Sequence, residues 1–304
     1  MKNWTKLGQI YSPKKIDEML STHSSNPLPI WISDDVYRVF FSGRDSDNKS
    51  SVGWFEFDVV RQEILDVCEK TFLSCREENR KYYSHGISLG CFLSDDVNTS
   101  VYFMAWQVEG NSHWRGDIGR FILDSKKNLN YVDNEPYMTS DKEDPVSLSY
   151  PFILKDDDVF RMWYGSTISW DSPNGEMIHV IKYATSKDGI NWDKHGVAIP
   201  FELGIAQAFS RPCVIKLAGF YHMWFSYRSG DGSTYRIGYA KSIDAINWNM
   251  NFDSGITPSN DGWDSEMVCY PYVFSHKEKT YMLYNGNSHG KTGIGLAVYS
   301  EEEV

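Results

Sequence analysis

The sequence predicts an all-β protein, a five-bladed β-propeller whose N-terminal strand closes the last blade. Three observations lead there. One phrase, an apolar-aromatic run that ends in a turn, recurs as YRVFFSGRD (Tyr37–Asp45), VYFMAWQVE (Val101–Glu109), FRMWYGSTI (Phe160–Ile168), YHMWFSYRS (Tyr221–Ser229) and YMLYNGNSH (Tyr281–His289). Its starts lie about 60 residues apart, a period that marks propeller blades or similar arrays. Each phrase is flanked by further runs of strand character. Finally, NWTKLGQIYSP (Asn3–Pro13) reads like NWDKHGVAIP (Asn191–Pro200), an outer strand with no blade before it.

In chain order, the first blade opens with PLPIWIS (Pro27–Ser33) and returns with SVGWFEFD (Ser51–Asp58). The second uses ISLGCFLS (Ile87–Ser94) and DIGRFILD (Asp117–Asp124), and the third SYPFILK (Ser149–Lys155) and HVIKYATS (His179–Ser186). The fourth uses SRPCVIK (Ser210–Lys216) and RIGYAKS (Arg236–Ser242), and the fifth CYPYVFS (Cys269–Ser275) and TGIGLAVY (Thr292–Tyr299). Short length, β-branched and aromatic enrichment, and bounding Gly, Asp, Ser and Pro are strand signals. Fourth strands follow in blades three (Thr185–Pro200) and four (Lys241–Pro258). Blade five has none of its own, so residues 3–13 supply it and pair an edge that would otherwise be open. Helical periodicity is confined to a turn or two around Lys14–Leu20. The expected organisation is one domain over 1–304, with blades at about 26–75, 84–139, 147–201, 208–259 and 266–300 plus 3–13.

Composition narrows the partners. A net charge of −11 without a long basic run argues against nucleic acid and against an anionic membrane surface. The five cysteines show no CxxC or Cys/His ligand spacing, so no metal and no cofactor is expected. The N-terminus lacks an apolar leader and no run approaches a membrane span, which makes a cytoplasmic location the expectation. The aromatic share of 15% suits sheet packing, and it also suits sugar-binding walls.

In such a ring the segments before first strands and after second strands meet at one face. The acidic turns Asp34–Asp35 and Asp156–Asp158, and the Asp188 and Asp244 turns, fall on the opposite face. There, Asp and Gly serve the turn itself. The meeting face collects His85, Asp144, Tyr150, Arg211, Glu266 and Tyr270 from first-strand entrances. Second-strand exits add Arg44, Gln107, Arg115, Trp170, Arg228, Asn285, Asn287 and His289. The cations are conspicuous in an acidic chain. Guanidinium forks bind carboxylate and phosphate bidentately.

The blade pattern, the S-x-D-G-x-x-W turn of SKDGINW, and the phrases GWDSEMVCYPYVF and YNGNSHGKTGIGLA resemble the five-bladed β-propeller glycosidases and their relatives. These are the arabinanases, β-xylosidases, invertases and mannoside phosphorylases. The resemblance implies a carbohydrate-active enzyme with its site at the mouth of a central channel. Hydrolytic members carry an Asp base, a second Asp and a Glu acid at early first-strand entrances. An inverting pair must stand roughly 6.5–9.5 Å apart to admit water. Here the first three entrances hold Asn26-Pro27, Ser84-His85 and Tyr150-Pro151, so that trio is out of register.

Glu266, Asp144 and His85 are therefore the candidate catalytic groups. The candidate binding groups are Arg44, Gln107, Arg115, Tyr150, Trp170, Arg211, Arg228, Tyr270, Asn285, Asn287 and His289. Ordinary readings stand beside these: a seam hydrogen bond for Glu266 and an ion pair for each Arg; His113 and Trp114, in an exit loop, read either as a sugar platform or as ordinary loop surface. The expected ligand is a carbohydrate, sugar phosphate or nucleotide sugar carrying an anionic group. The alternative is a non-catalytic sugar-binding propeller that lacks the acid trio.

Overall fold

A computed structural model describes residues 3–76, 81–95, 98–110, 112–132, 134–229 and 234–300. It is all-β. The first strand, β1 (Trp4–Tyr11), precedes a meander of β2 (Thr22–Ser33), β3 (Val36–Arg44), β4 (Ser50–Asp58) and β5 (Glu63–Val67). The next meander comprises β6 (Gly86–Ser94), β7 (Thr99–Val108), β8 (Trp114–Leu123) and β9 (Leu129–Tyr131). Then come β10 (Ser147–Asp156), β11 (Val159–Ser169), β12 (Ile178–Ser186) and β13 (Asp193–Ile199). They are followed by β14 (Ala208–Leu217), β15 (Phe220–Arg228), β16 (Arg236–Ser242) and β17 (Asn249–Asn251). The chain ends with β18 (Cys269–His276), β19 (Lys279–Asn285) and β20 (Ile294–Tyr299).

Pairing within each meander is antiparallel. Single parallel bridges, Ser50 with Gly86 and His179 with Ala208, join the meanders two by two into eight-stranded sheets. The remaining sheet has the order β1-β20-β19-β18, with Trp4 opposite Tyr299 and Tyr11 opposite Ile294. The first and last strands of the described chain are thus hydrogen-bonded neighbours. Inner strands pack side by side, β2 on β6, β6 on β10, β10 on β14, β14 on β18 and β18 on β2.

Burial follows strand position. Residues 24–30 of β2 are all buried, whereas β5 is exposed over four of its five residues. That exposure hides β5 from a reading based on apolar runs, and β9 is hidden by its length of three residues. The Lys14–Leu20 stretch forms no helix. Asp17 instead accepts from the Met19, Leu20 and Thr71 amides and from the Thr71 hydroxyl, an Asx-type bend that pins this segment to the next meander.

One irregularity repeats. Four inner strands slip register at a Pro-containing bulge: Ser25/Leu28, Ser149/Phe152, Ser210/Cys213 and Cys269/Tyr272. The residue before each proline has positive φ: Asn26 (55°), Tyr150 (33°), Arg211 (49°) and Tyr270 (53°). Such values are rare for bulky residues and cost about 1–3 kcal/mol each. In β6 the extra residue is Gly90, where a Cβ would lie 2.6 Å from the Pro151 carbonyl oxygen. The bulges put consecutive residues, which a regular strand would point to opposite faces, onto one wall.

Candidate functional site

A cavity of about 240 Å³ lies among the inner strands. Both Ser25 and Asn26, and both Ser149 and Tyr150, line it, which is the direct product of the bulges. Arg44 enters from the end of β3, Arg228 from the end of β15, and His289 from the turn Asn287–Gly290, where Ser288 and His289 both have positive φ. The hydroxyl of Ser25 donates to the His289 carbonyl and fixes that turn against β2.

Among the described residues, no Asp or Glu lines this cavity. Its polar lining is rich in donors. Asn26 is 2% exposed, yet its Nδ2 has no hydrogen-bond partner. Arg228 gives Nη2 to Glu176 at 2.7 Å and stacks its guanidinium over Tyr235, while its Nε is buried without a partner. Arg44 forms no ion pair among the described residues, and both guanidinium groups act on His289. Burial, then Arg44 and Arg228, pushes that imidazole down to about 4. His23 is pushed to about 4 by burial, then by Arg44 and His289. At neutral pH both rings are uncharged and the guanidinium groups carry the positive charge.

A second polar arrangement sits on the β10 side. The Ser149 hydroxyl lies 2.6 Å from Nε2 of His179, and Nδ1 of that ring lies 2.8 Å from the Thr167 hydroxyl. Room for it comes from Gly165, where a Cβ would stand 2.0 Å from Ser149 Oγ and 2.5 Å from His179 Nε2. Burial, with Arg228, pushes the His179 imidazole to about 3, so it is neutral. Neither residue was among the sequence candidates. A signal was present: the register pairs Ser25–Ser42 and Ser210–Ser226 correspond to Ser149–Gly165 here, with glycine opposite the serine.

Five of the expected binding residues converge on the cavity: Arg44, Tyr150, Arg228, Tyr270 and His289. Arg115 and Trp170 line a neighbouring hollow instead. Arg211 is elsewhere. It is 1% exposed, and its guanidinium donates to the carbonyls of Pro27, Leu89, Tyr270 and Pro271. It joins β2, β6 and β18 from β14 rather than facing a ligand. Asn285 is spent on the Ser24 and Gly293 carbonyls and the Asn26 amide, and Asn287 on the Glu266 and Met267 amides. Gln107 sits on β7 opposite Arg115 and lines neither space.

None of the three candidate catalytic groups lines the cavity. Glu266 is exposed, and its backbone, rather than its carboxylate, makes the local bonds to Asn287, Thr234 and Arg236. His85 accepts the Val108 amide on Nδ1, and burial with Lys49 holds its pKa below the usual value. Asp144 is fully buried between Lys182 (2.8 Å) and Lys194 (2.6 Å) and accepts from Tyr164 and Ser166. Burial alone would raise its pKa, but Lys182, Lys194 and Ser166 outweigh it and bring it to about 2. A carboxylate held this way is a buried counter-ion. It is no proton donor at neutral pH.

All five cysteines are free and buried. Among the described residues no helix is long and apolar enough to cross a membrane.

Solved structures similar to the chain include glycoside hydrolases. One described as a glycoside hydrolase matches with a TM-score of 0.75 at 15% identity, over 97% of this chain and 91% of the other. A putative glycoside hydrolase from Bacteroides ovatus matches at 0.74 and 13% identity, over 99% and 97%. The GH43_1 enzyme from Xanthomonas citri complexed with xylotriose matches at 0.63 and 14%, over 98% and 91%. The chain shares the fold of these glycoside hydrolases. No family model matches the chain. It is 38% identical to the uncharacterized protein Rv1502 of Mycobacterium tuberculosis, over 97% of this chain and 98% of the relative, and belongs to the same family as that protein.

Proposed function

We propose that the chain is a single five-bladed propeller, closed by β1 on β20, whose central cavity binds a carbohydrate through an anionic group. The cyclic packing of inner strands and the β1–β20 ladder support the ring. The observation that carries the ligand reading is a cavity lined by Arg44, Arg228 and the unpartnered Asn26 amide, with no lining carboxylate among the described residues. An anion finds charge-assisted donors there. A neutral sugar would leave the Arg44 charge uncompensated.

The same lining disfavours hydrolysis by two protein carboxylates, which must flank the bond directly. Recognition without glycoside hydrolysis is therefore the better-supported reading. The enzymatic reading draws on the likeness of the fold to glycoside hydrolases, and fold alone does not supply chemistry. Incubation with neutral and phosphorylated aryl glycosides separates the two. Binding without product release supports recognition. Product release that is abolished in Glu266→Gln, with binding retained, would overturn it in favour of an enzyme.

A further inference from the structure

Trp114, at the start of β8, lines the central cavity and also a second hollow of about 390 Å³ beside it. The second hollow is lined by His113, Trp114 and Trp170 together with Glu109, Ser112, Arg115 and Val146. The rings brace one another. His113 stacks on Trp170 at 4.8 Å between centroids, and Trp114 meets Trp170 edge-on at 4.7 Å. Trp114 also meets His179 edge-on at 5.9 Å, so the wall is anchored to the central site.

We infer that this aromatic hollow is a second sugar subsite, continuous with the central one across Trp114, and that the ligand is an oligosaccharide of at least two units. The inference rests on the proposal that the central cavity takes an anionic sugar. Volume supports it: small-molecule sites usually span about 300–1,000 Å³. The central cavity alone is smaller than that. Chemistry supports it too, because flat rings pack the C–H face of a pyranose while a carboxylate, a hydroxyl and a guanidinium reach its hydroxyl groups. The outer hollow carries acid and base together and so has no preference for an anion. The anionic unit belongs to the central cavity, and a neutral unit to the Trp170 side.

The test is an array of immobilised neutral, uronic-acid and phosphorylated mono-, di- and trisaccharides, probed with the whole chain and with Trp170→Ala. The expected result is that disaccharides with an anionic unit bind about tenfold more tightly than the matching monosaccharide. Trp170→Ala removes that gain and leaves monosaccharide binding within about twofold. Anionic monosaccharides that bind as tightly as their disaccharides overturn this inference alone, as does a Trp170→Ala variant that weakens both equally. Failure of every anionic sugar to bind overturns the central-cavity proposal and this inference with it.

Discussion

The hydroxyl of Tyr164 donates to Oδ2 of Asp144 over 2.9 Å, and the relationship recurs where Tyr284 donates to Asp264 over 3.0 Å. In both meanders the aspartate stands at an inner-strand entrance and a lysine completes the pair, Lys194 for Asp144 and Lys6 for Asp264. Asp144, a catalytic candidate by its position in the sequence, and Asp264 are thereby paired within the sheets. Lys6 lies on β1, so the Asp264 pair also ties the N-terminal strand to the last meander.

Asp144→Asn leaves Lys182 without its counter-ion and Lys194 with only the half-exposed Asp141. Breaking a buried pair from one side costs about 3–5 kcal/mol. Chemical denaturation should show a loss of that order. A loss below about 1 kcal/mol would mean that water already screens the lysines.

Arg211→Met is expected to destabilise the fold by about 3 kcal/mol or more, because buried carbonyls on three neighbouring strands lose their donor. Arg211→Lys should recover part of this, since an ammonium reaches fewer acceptors. The discriminating measurement is paired: a denaturation midpoint and a ligand titration on the same variant. A normal midpoint with lost binding would return Arg211 to the ligand site.

Asn26 lines the cavity at the first inner-strand bulge, and its side-chain amide has no hydrogen-bond partner. Asn26→Asp would add a carboxylate where the ligand anion sits. Affinity for an anionic sugar should fall about tenfold or more, the direction expected from like-charge repulsion. Unchanged affinity in calorimetry would place the anion away from Asn26.

Acid should destabilise the protein from about pH 6.5 downward. His23, His222 and His289 are held at about 4 and His179 at about 3, in each case chiefly because burial penalises the imidazolium. The unfolded chain binds protons first, so the stability these neutral rings permit is complete above about 6.5 and is lost as pH falls towards 4. Urea midpoints should drop between pH 7 and 5 by the equivalent of about 1 kcal/mol or more. His289→Asn, which tolerates the positive φ, should flatten the slope. A flat wild-type profile over that range would contradict the assignment.

Much of the architecture is written in the sequence because inner and middle strands must bury both faces, so YHMWFSYR and CYPYVFS announce themselves as apolar runs. The outer strands β5 and β9 do not, since EILDV is mostly solvent-facing and LNY is only three residues long. The site was legible where side chains sit at strand ends, as with Arg44, Arg228 and His289. It was illegible where a bulge decides direction. Alternation cannot say that Ser25 and Asn26 share a wall, or that Arg211, one residue beyond Ser210, turns to the neighbouring strands' carbonyls. Those directions depend on the positive φ before each proline, which the motif S-x-P hints at without fixing. Glu266 looked well placed on the chain, yet its side chain is on the exterior.

The most direct measurement is a pair of calorimetric titrations with a sugar and its phosphorylated counterpart, on the wild-type chain and on Arg44→Ala. Arg44 should hold the anion, so the phosphorylated sugar is expected to bind about tenfold or more tightly than the neutral one. Arg44→Ala should remove that preference without shifting the denaturation midpoint. Equal affinity for the two sugars, or a preference that survives in Arg44→Ala, would contradict anion recognition in the central cavity.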